Sequence, residues 1–302
     1  MESTTESWRV VAFTVMPIVP PMVESLLRER GHRLVGILTA PGPRTRRTDG
    51  YRGVAQLARP GLDVIVSNYP DRWAAMIAPL RPDLIVTGSF NWIIPADVLA
   101  VPRLGAINVH DALLPKYRGM NSTGWALRNG DPLGFTVHYM TPRLDDGPIL
   151  AQRAIPHTDE DDGETLIGRI GATVPEVLGE AFDRIAAGDP GVPQREEEAS
   201  HSPGRFEEAW GRIDWARPAV AIHRQVRSLW DRNLALGAVG MVEGTAIRVM
   251  KTALVESEGP PTAAPGTVLH REGETLLIQC GDRPLQIHQY RDDPPSPHTL
   301  SR

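Results

Sequence analysis

Asn108, His110 and Asp111 break an apolar run in 107-INVHDALLPKYRG-119, and His138, Asp145 and Asp146 fall within 134-GFTVHYMTPRLDDGPIL-150. Asn108 and His110 stand at i and i+2, so on a strand both side chains point to one face. An asparagine amide can donate to an oxyanion, and histidine is the side chain best suited to moving a proton near neutral pH. Asp145, in a turn after the next strand candidate, is placed to hold the His110 ring, raise its basicity or order a water. Such a trio supports acyl-type transfer: a nucleophile attacks a carbonyl carbon, Asn steadies the tetrahedral oxygen, and His with Asp manages the proton. No Ser or Cys with an elbow motif accompanies it, so the attacking group is expected to be the substrate's own amine or a water. The same residues also admit two other readings: helix caps and loop bonds, or a metal site built from His110, His138, Asp111 and Asp145. The metal reading lacks any ligand-spacing signature, and no metal is expected.

The first half of the chain supplies elements to position these groups. WRVVAFTV (8–15), HRLVGILTA (32–40), LDVIVS (62–67), PDLIVTGSF (82–90) and LGAINVH (104–110) read as buried parallel strands. VESLLRERG (23–31) and PDRWAAMIAPL (70–80) between them have helical spacing. Alternation of this kind predicts a doubly wound, Rossmann-like α/β sheet that binds ligands at the carboxyl ends of its strands. GFTVHYMT and GPILAQRAIP follow as a strand pair, then a helix over about 162–187 begun by an Asp161 to Glu164 capping box, in which Pro175 predicts a kink or break. Residues 188–204, rich in Pro, Gly and charge, read as a linker. Beyond it, IDWARPAVAIHRQVRSLW (213–230) reads as one amphipathic helix, and five short strand candidates with turn signals predict a small OB-like antiparallel β-barrel over 205–291. The expected organisation is therefore a catalytic domain over 1–187, a linker, the barrel domain, and a disordered tail over 292–302.

No apolar run approaches the roughly 20 residues that span a bilayer, and the polar start MESTTESWRVVAF lacks the pattern of a secretory signal. A cytoplasmic location is expected. The single cysteine, Cys280 in LLIQCGD, forbids an intrachain disulfide and reads as a buried, inert thiol. A formal net charge of -5 gives no general electrostatic drive toward nucleic acid or anionic membranes. The local exception is 44-RTRR-47, either a solvated loop tip or an anion site.

The block LGAINVHDALLPKYRG with WALRNGDPLGFTVHYMTPRLDDGPIL resembles the folate-dependent formyltransferases, which use the formyl group of 10-formyltetrahydrofolate. The resemblance covers about residues 8–187 and implies that Asn108, His110 and Asp145 are the catalytic trio, with Asp146 outside it. It also assigns a donor pocket: 88-GSFNWIIPADVL-99 looks like the stretch whose backbone binds the pterin ring, with Phe90, Asn91, Trp92, Ile93 and Ile94 around it. The turn of Thr141, Arg143 and Leu144 looks like the loop closing the other side. Judged on residues alone, Trp92 and Ile93 would be core. RIDWARPAVAIHRQVRSL, APGTVL and LLIQCGDRPLQI resemble the C-terminal barrel of the family members acting on methionyl-tRNA, on a nucleotide-linked aminoarabinose or on N-hydroxyornithine. One departure stands out: the family's Pro-Trp-Pro-Gly-Ala segment is replaced by 232-RNLALGAVG-240.

The acceptor is less sharply written. Glycinamide ribonucleotide enzymes carry a glycine-rich phosphate loop after the first strand, whereas 13-FTVMPIVPP-21 has no glycine and mostly apolar side chains. A tRNA acceptor would favour a basic second domain. Segment 120-MNSTG-124 lacks the proline of the aminoarabinose and hydroxyornithine enzymes, and is expected to border the acceptor. Met16, Pro17, Met120, Asn121, Ser122 and His138 are the acceptor-side candidates. The expected reaction is formyl transfer to a small specialised amine, an amino sugar or an amino-acid derivative, with a tRNA formyltransferase and a formate-releasing hydrolase as alternatives.

Overall fold

A computed structural model of the protein describes residues 6–43, 49–161, 163–229, 237–256, 261 and 263–293. Two compact units make up the chain: Met1–Arg118, Gly134–Arg153 and Gly171–Ser200 form the first, and Gly119–Leu133, Ala154–Ile170 and His201–Arg302 the second.

The first unit is organised by a seven-stranded sheet. In chain order its elements are β1 (Arg9–Phe13), α1 (Val19–Glu29), β2 (Arg33–Thr39), α2 (Gly50–Ala55), β3 (Asp63–Val66), α3 (Pro70–Ile77), β4 (Leu84–Gly88), α4 (Ala96–Leu99) and β5 (Ala106–His110). The helix α5 (Ser122–Asn129) belongs to the second unit; β6 (Leu133–Tyr139), β7 (Ile149–Ile155) and α6 (Gly163–Ala186) follow. The strand order is β3-β2-β1-β4-β5-β6-β7. β1 pairs in parallel with both β2 and β4, so strand order reverses between β1 and β4, and β6 returns antiparallel to β5. This is the doubly wound sheet that the alternating pattern predicts, with the switch point beside β1.

Successive residues of β1 enter two different cores. Val10 and Ala12 pack with Ile107, Val137 and the α6 residues Val177, Leu178 and Phe182. Val11 and Phe13 pack with Ile85, Ala106, Trp73 and Ile94 on the opposite face. Burial on both faces explains why these strands read as continuous apolar runs. α1 starts four residues before the expected helix, because Pro20 and Pro21 fit a first turn whose N–H groups have no intrahelical partner. α6 is continuous through Pro175, so no break occurs there. The capping box expected at its start falls partly outside the described residues. Asp161 instead accepts the Thr158 amide and pairs with Arg169.

The segment read as a linker is built into the first unit as far as Ser200. Val192 exchanges both backbone hydrogen bonds with Ile149, each 2.8 Å, and Gln194 and Glu196 bond Arg118. Its Pro and Gly content reflects tight turns in an ordered strap rather than a flexible connection.

The second unit contains α7 (Ala219–Ser228) and the strands β8 (Ala238–Val242), β9 (Thr245–Leu254), β10 (Val268–Glu272), β11 (Thr275–Gln279) and β12 (Pro284–Asp292). They form a five-stranded antiparallel sheet in the order β10-β11-β12-β9-β8. α7 is shorter than expected: Pro218 stands at its N-cap in extended conformation, and the residue before a proline is itself pushed out of the helical region. Residues 212–213 bond Val239 of β8 instead. β12 reaches Asp292, and Asp293 pairs with Arg248, so the expected tail begins later. Residues 294–302 lie outside the described residues, as do RTRR at 44–47 and residues 230–236. Cys280 is buried, and burial, followed by the charge of Asp282, pushes its thiol up to about 12, as an inert core cysteine requires. Among the described residues no helix is long and apolar enough to cross a membrane.

His223 is a buried titratable group that ties α7 to the 154–170 segment. Its Nε2 faces the Asp159 carbonyl at 2.7 Å, an acceptor only, so this nitrogen donates; Nδ1 then accepts from the Thr252 hydroxyl at 2.7 Å. The neutral ring fits both partners. Burial, reinforced by Arg227, lowers its pKa from 6.5 to about 4. Above pH 6.5 folded and unfolded chains both hold a neutral ring; as pH falls toward 4 only the unfolded chain takes up the proton. Stability should therefore fall between those values, by on the order of 3 kcal/mol. Urea unfolding across this window, followed by tryptophan fluorescence, should show the loss in the parent chain, and His223→Asn should flatten it.

Candidate active site

The face of β5 that carries Ala106 into the core carries Asn108 and His110 as the strand emerges at the carboxyl edge of the sheet. The register with β6 sets Asn108 opposite His138 and His110 opposite Thr136. Directly opposed residues of an antiparallel pair share a face, so His138 joins the same constellation. The loop from 140 to 147 folds back over this edge and brings in Asp145. A carboxylate, an amide and two imidazoles thus meet in the first unit.

Their hydrogen bonds fix which atoms are available. His110, only 5% exposed, donates from Nε2 to the Tyr117 carbonyl at 2.8 Å, and its Nδ1 lies 3.6 Å from Asp145 Oδ2. With a proton on each nitrogen the ring has a donor for each of these acceptors. The 3.6 Å spacing is long for a direct bond; it suits charge stabilisation or a bridging water. His138, 1% exposed, gives Nδ1–H to the Tyr139 carbonyl at 2.7 Å, so its neutral Nε2 is an acceptor for Asn108 Nδ2 at 3.3 Å. Asn108 Nδ2 also donates to Asp145 Oδ1 at 3.3 Å. Both contacts are longer than an ordinary N–H···O bond, and an oxyanion, which draws donors to about 2.7–2.9 Å, is a stronger acceptor than either.

Backbone geometry at the site is constrained. Ser89, Tyr117 and Asp145 all have left-handed φ, of 52°, 60° and 50°. Such residues persist only where surroundings hold them, and they gather at functional sites. Gly147 is obligatory for space, since a Cβ there would sit 1.8 Å from the Tyr139 carbonyl oxygen that His138 bonds. Asp146 stays outside the trio: it takes the Thr141 hydroxyl and, at 2.9 Å, Arg143 Nε, and so pins the loop that presents Asp145.

The loops around the switch point carry the remaining candidates of the first unit. Phe90 packs against Phe13 and Trp73, with ring centroids 5.5 and 5.4 Å apart, and Trp92 stands edge-on to Trp73 at 5.9 Å. The Trp92 Nε1 is buried without an acceptor among the described residues. Ile94 is a core residue, able to offer only its backbone, whereas Ile93 is 68% exposed; assigning Ile93 to the core from its residue type fails because Ile94 takes the inward position next to it. Asn91 is half-buried, Leu144 and Arg143 are exposed, Met16 is half-buried and Pro17 exposed. Met120, Asn121 and Ser122 lie in the second unit. There the Met120 carbonyl accepts the Ser202 hydroxyl, Ser122 is buried, and Asn121 Nδ2 donates to the Gly204 carbonyl at 3.3 Å. Asn121 occupies the space over Gly124, where a Cβ would meet its Oδ1 at 2.4 Å.

Arg118, Gln194 and the Tyr117 carbonyl are functional neighbours that residue types did not signal. Arg118 lay within the LLPKYRG motif, but a carbonyl has no side-chain signature and Gln194 sits in the supposed linker.

The formyl transferase family profile matches residues 44–182, and that of the formyl transferase C-terminal domain matches 205–296. The methionyl-tRNA formyltransferase of Enterococcus faecalis is 39% identical over 211 residues, 68% of this chain and 64% of that one. That of Pelobacter propionicus is 33% identical over 89% of this chain and 84% of its own, and that of Caldanaerobacter subterraneus 31% over 94% and 92%. The chain thus spans less than two thirds of the first of these relatives and most of the other two. Among solved structures, HypX from Aquifex aeolicus in complex with tetrahydrofolic acid covers 96% of this chain and 45% of its own at 20% identity, TM-score 0.65. An N-formyltransferase from Helicobacter canadensis, in complex with folinic acid and dTDP-3-aminofucose, covers 95% and 100% at 16% identity, TM-score 0.67. At these identities the structures speak for the fold alone, while the sequence relatives reach further: the chain belongs to the formyl transferase family.

Proposed function

We propose that the protein is an N-formyltransferase that moves the formyl group of 10-formyltetrahydrofolate to the amine of a small specialised acceptor, an amino sugar or an amino-acid derivative. The observation that carries this reading is the convergence of Asn108, His110, Asp145 and His138 at the carboxyl edge of a switch-point sheet, in a chain of this family. The donor supplies an activated formyl carbon. Asn108 Nδ2 gives one of its two hydrogens to the oxygen on which negative charge gathers, in place of its 3.3 Å contact with Asp145 Oδ1, while His138 Nε2 keeps the other and orients the amide. His110 Nδ1 takes the proton from the attacking amine, and Asp145 Oδ2 stabilises the resulting imidazolium. The new bond joins the amine nitrogen to the formyl carbon, the bond from that carbon to the donor nitrogen breaks, and the proton passes to that nitrogen. In this reading Phe90, Asn91, Trp92, Ile93 and the Ile94 backbone border the flat heterocycle of the donor, and Thr141, Arg143 and Leu144 its other side. The unpaired Trp92 Nε1 and the exposed Ile93 and Leu144 suit a ligand that is flat, apolar on its faces and polar at its edges.

Charge supports the small acceptor. Residues 205–293 hold eleven Lys and Arg against twelve Asp and Glu. The second unit's Arg128, Arg212, Arg227, Arg248 and Arg271 are each paired with an acid. A polyphosphate partner would have to compete with those carboxylates, and its own affinity falls as salt rises. A tRNA acceptor is the second reading, favoured by the names of the sequence relatives.

Incubation with 10-formyltetrahydrofolate and a panel of amino sugars, hydroxylated amino acids and aminoacylated initiator tRNA, read by mass spectrometry, should show gain of one formyl group on a small amine. Formylation confined to the tRNA would select the second reading, and formate release at an equal rate without any amine would make the protein a hydrolase. His110→Ala should lower kcat by about 10²- to 10⁴-fold while donor affinity, from fluorescence titration, stays within a few-fold; a collapse of donor binding would instead make His110 structural.

A further inference from the structure

Arg118 is a nearly fully buried cation, 1% exposed. Its Nη1 bonds both Glu196 carboxylate oxygens, at 3.2 and 3.0 Å, while Nε and Nη2 donate to Gln194 Oε1 at 3.1 and 2.9 Å. A guanidinium only donates, so the Gln194 carboxamide must turn its oxygen to Arg118 and its nitrogen away. That nitrogen donates to the Asp145 carbonyl at 2.9 Å and to the Gly147 carbonyl at 2.8 Å. One amide group thus clamps the two carbonyls that flank Asp146, in the turn where Asp145 is held at a φ of 50°.

The same strap grips the other half of the site. Tyr117 N bonds Ser200 Oγ at 3.0 Å, and Arg118 N bonds the Ser200 carbonyl at 2.9 Å. Tyr117 is the residue whose carbonyl holds the His110 ring. Residues 192–200 therefore tie the loop that orients His110 to the loop that presents Asp145, although neither loop holds the other directly through these bonds. From this we propose that Gln194 is the positioning residue that keeps Asp145 within reach of His110 and Asn108, with Arg118 setting the direction of its amide. The inference rests on the formyl-transfer reading of the trio and adds to it a reason why the strap after α6 belongs to the catalytic apparatus.

The test is kinetic. Gln194→Glu keeps the shape and the acceptor for Arg118 but replaces the two donated hydrogens with an oxygen facing two carbonyls; Gln194→Met keeps the volume and removes both functions. Each is expected to lower kcat by up to about a hundred-fold, with the KM for the formyl donor within about three-fold and a loss larger than the folded fraction from thermal unfolding accounts for. In single turnovers on an Asp145→Asn background, Gln194→Glu should add less than about a two-fold further loss, because it acts through Asp145. Parent-like kcat in both variants, full additivity with Asp145→Asn, or a loss that follows only the folded fraction would each overturn the positioning role while leaving formyl transfer intact. Absence of both formyl transfer and formate release from the parent chain would sink the reading beneath it, and the inference with it.

Discussion

The register between β5 and β6 is the constraint on which the site depends. With Asn108 opposite His138 and His110 opposite Thr136, three polar side chains and a threonine hydroxyl share the face that also carries Ala106 into the core. Side-chain direction alternates along a strand, so a slip of one residue would send His138 into the apolar cluster with Ile107 and Val137 and leave Asn108 facing a valine. Burial on both sides of the sheet makes such a slip prohibitive. The fold thus places a reactive set with the same force that holds the core together.

Burying polar groups obliges them to find partners, and here the partners decide chemistry. The Tyr117 and Tyr139 carbonyls each accept from one imidazole nitrogen, and by doing so they determine which nitrogen of His110 and of His138 faces Asn108 and Asp145. Tyr139 can accept only because Gly147 leaves its oxygen room. The loop that needs Gly147 is the same one that carries Asp145, so backbone approach, tautomer and carboxylate position are one geometric problem. Arg118 extends the set. Its buried charge is tolerable because Glu196 pairs with it, and that carboxylate lies in the strap.

Much of this was legible in the sequence because it was local. The strands showed as apolar runs, the shared face of Asn108 and His110 followed from a spacing of two, and the Leu-Asp-x-Gly turn announced itself. What escaped was set by tertiary pairing. Nothing local says that the acceptor-side candidate His138 stands opposite Asn108 and bonds its amide. Gln194 acts on a turn 49 residues earlier in the chain, from a stretch whose Pro, Gly and Glu content reads as linker. Composition there described turns and solvent-facing carboxylates correctly, but it had no means of showing that one glutamine faces inward. Pro218 was a local signal, yet the periodicity on either side of it outweighed it, and the helix was drawn six residues too long at its start.

Segment 120-MNSTG-124 departs from the aminoarabinose and hydroxyornithine enzymes at their proline, which made it the natural place to look for acceptor choice. Its side chains have structural employment within the second unit: Asn121 reaches the Gly204 carbonyl, fills the space over Gly124 and itself sits at a φ of 59°. A proline at 121 is incompatible with that backbone, because its ring fixes φ near -65°. The ion pairs that Arg128, Arg212, Arg227, Arg248 and Arg271 make with the second unit's own carboxylates bear on the proposed acceptor, because a polyphosphate chain would have to displace those carboxylates to reach these cations.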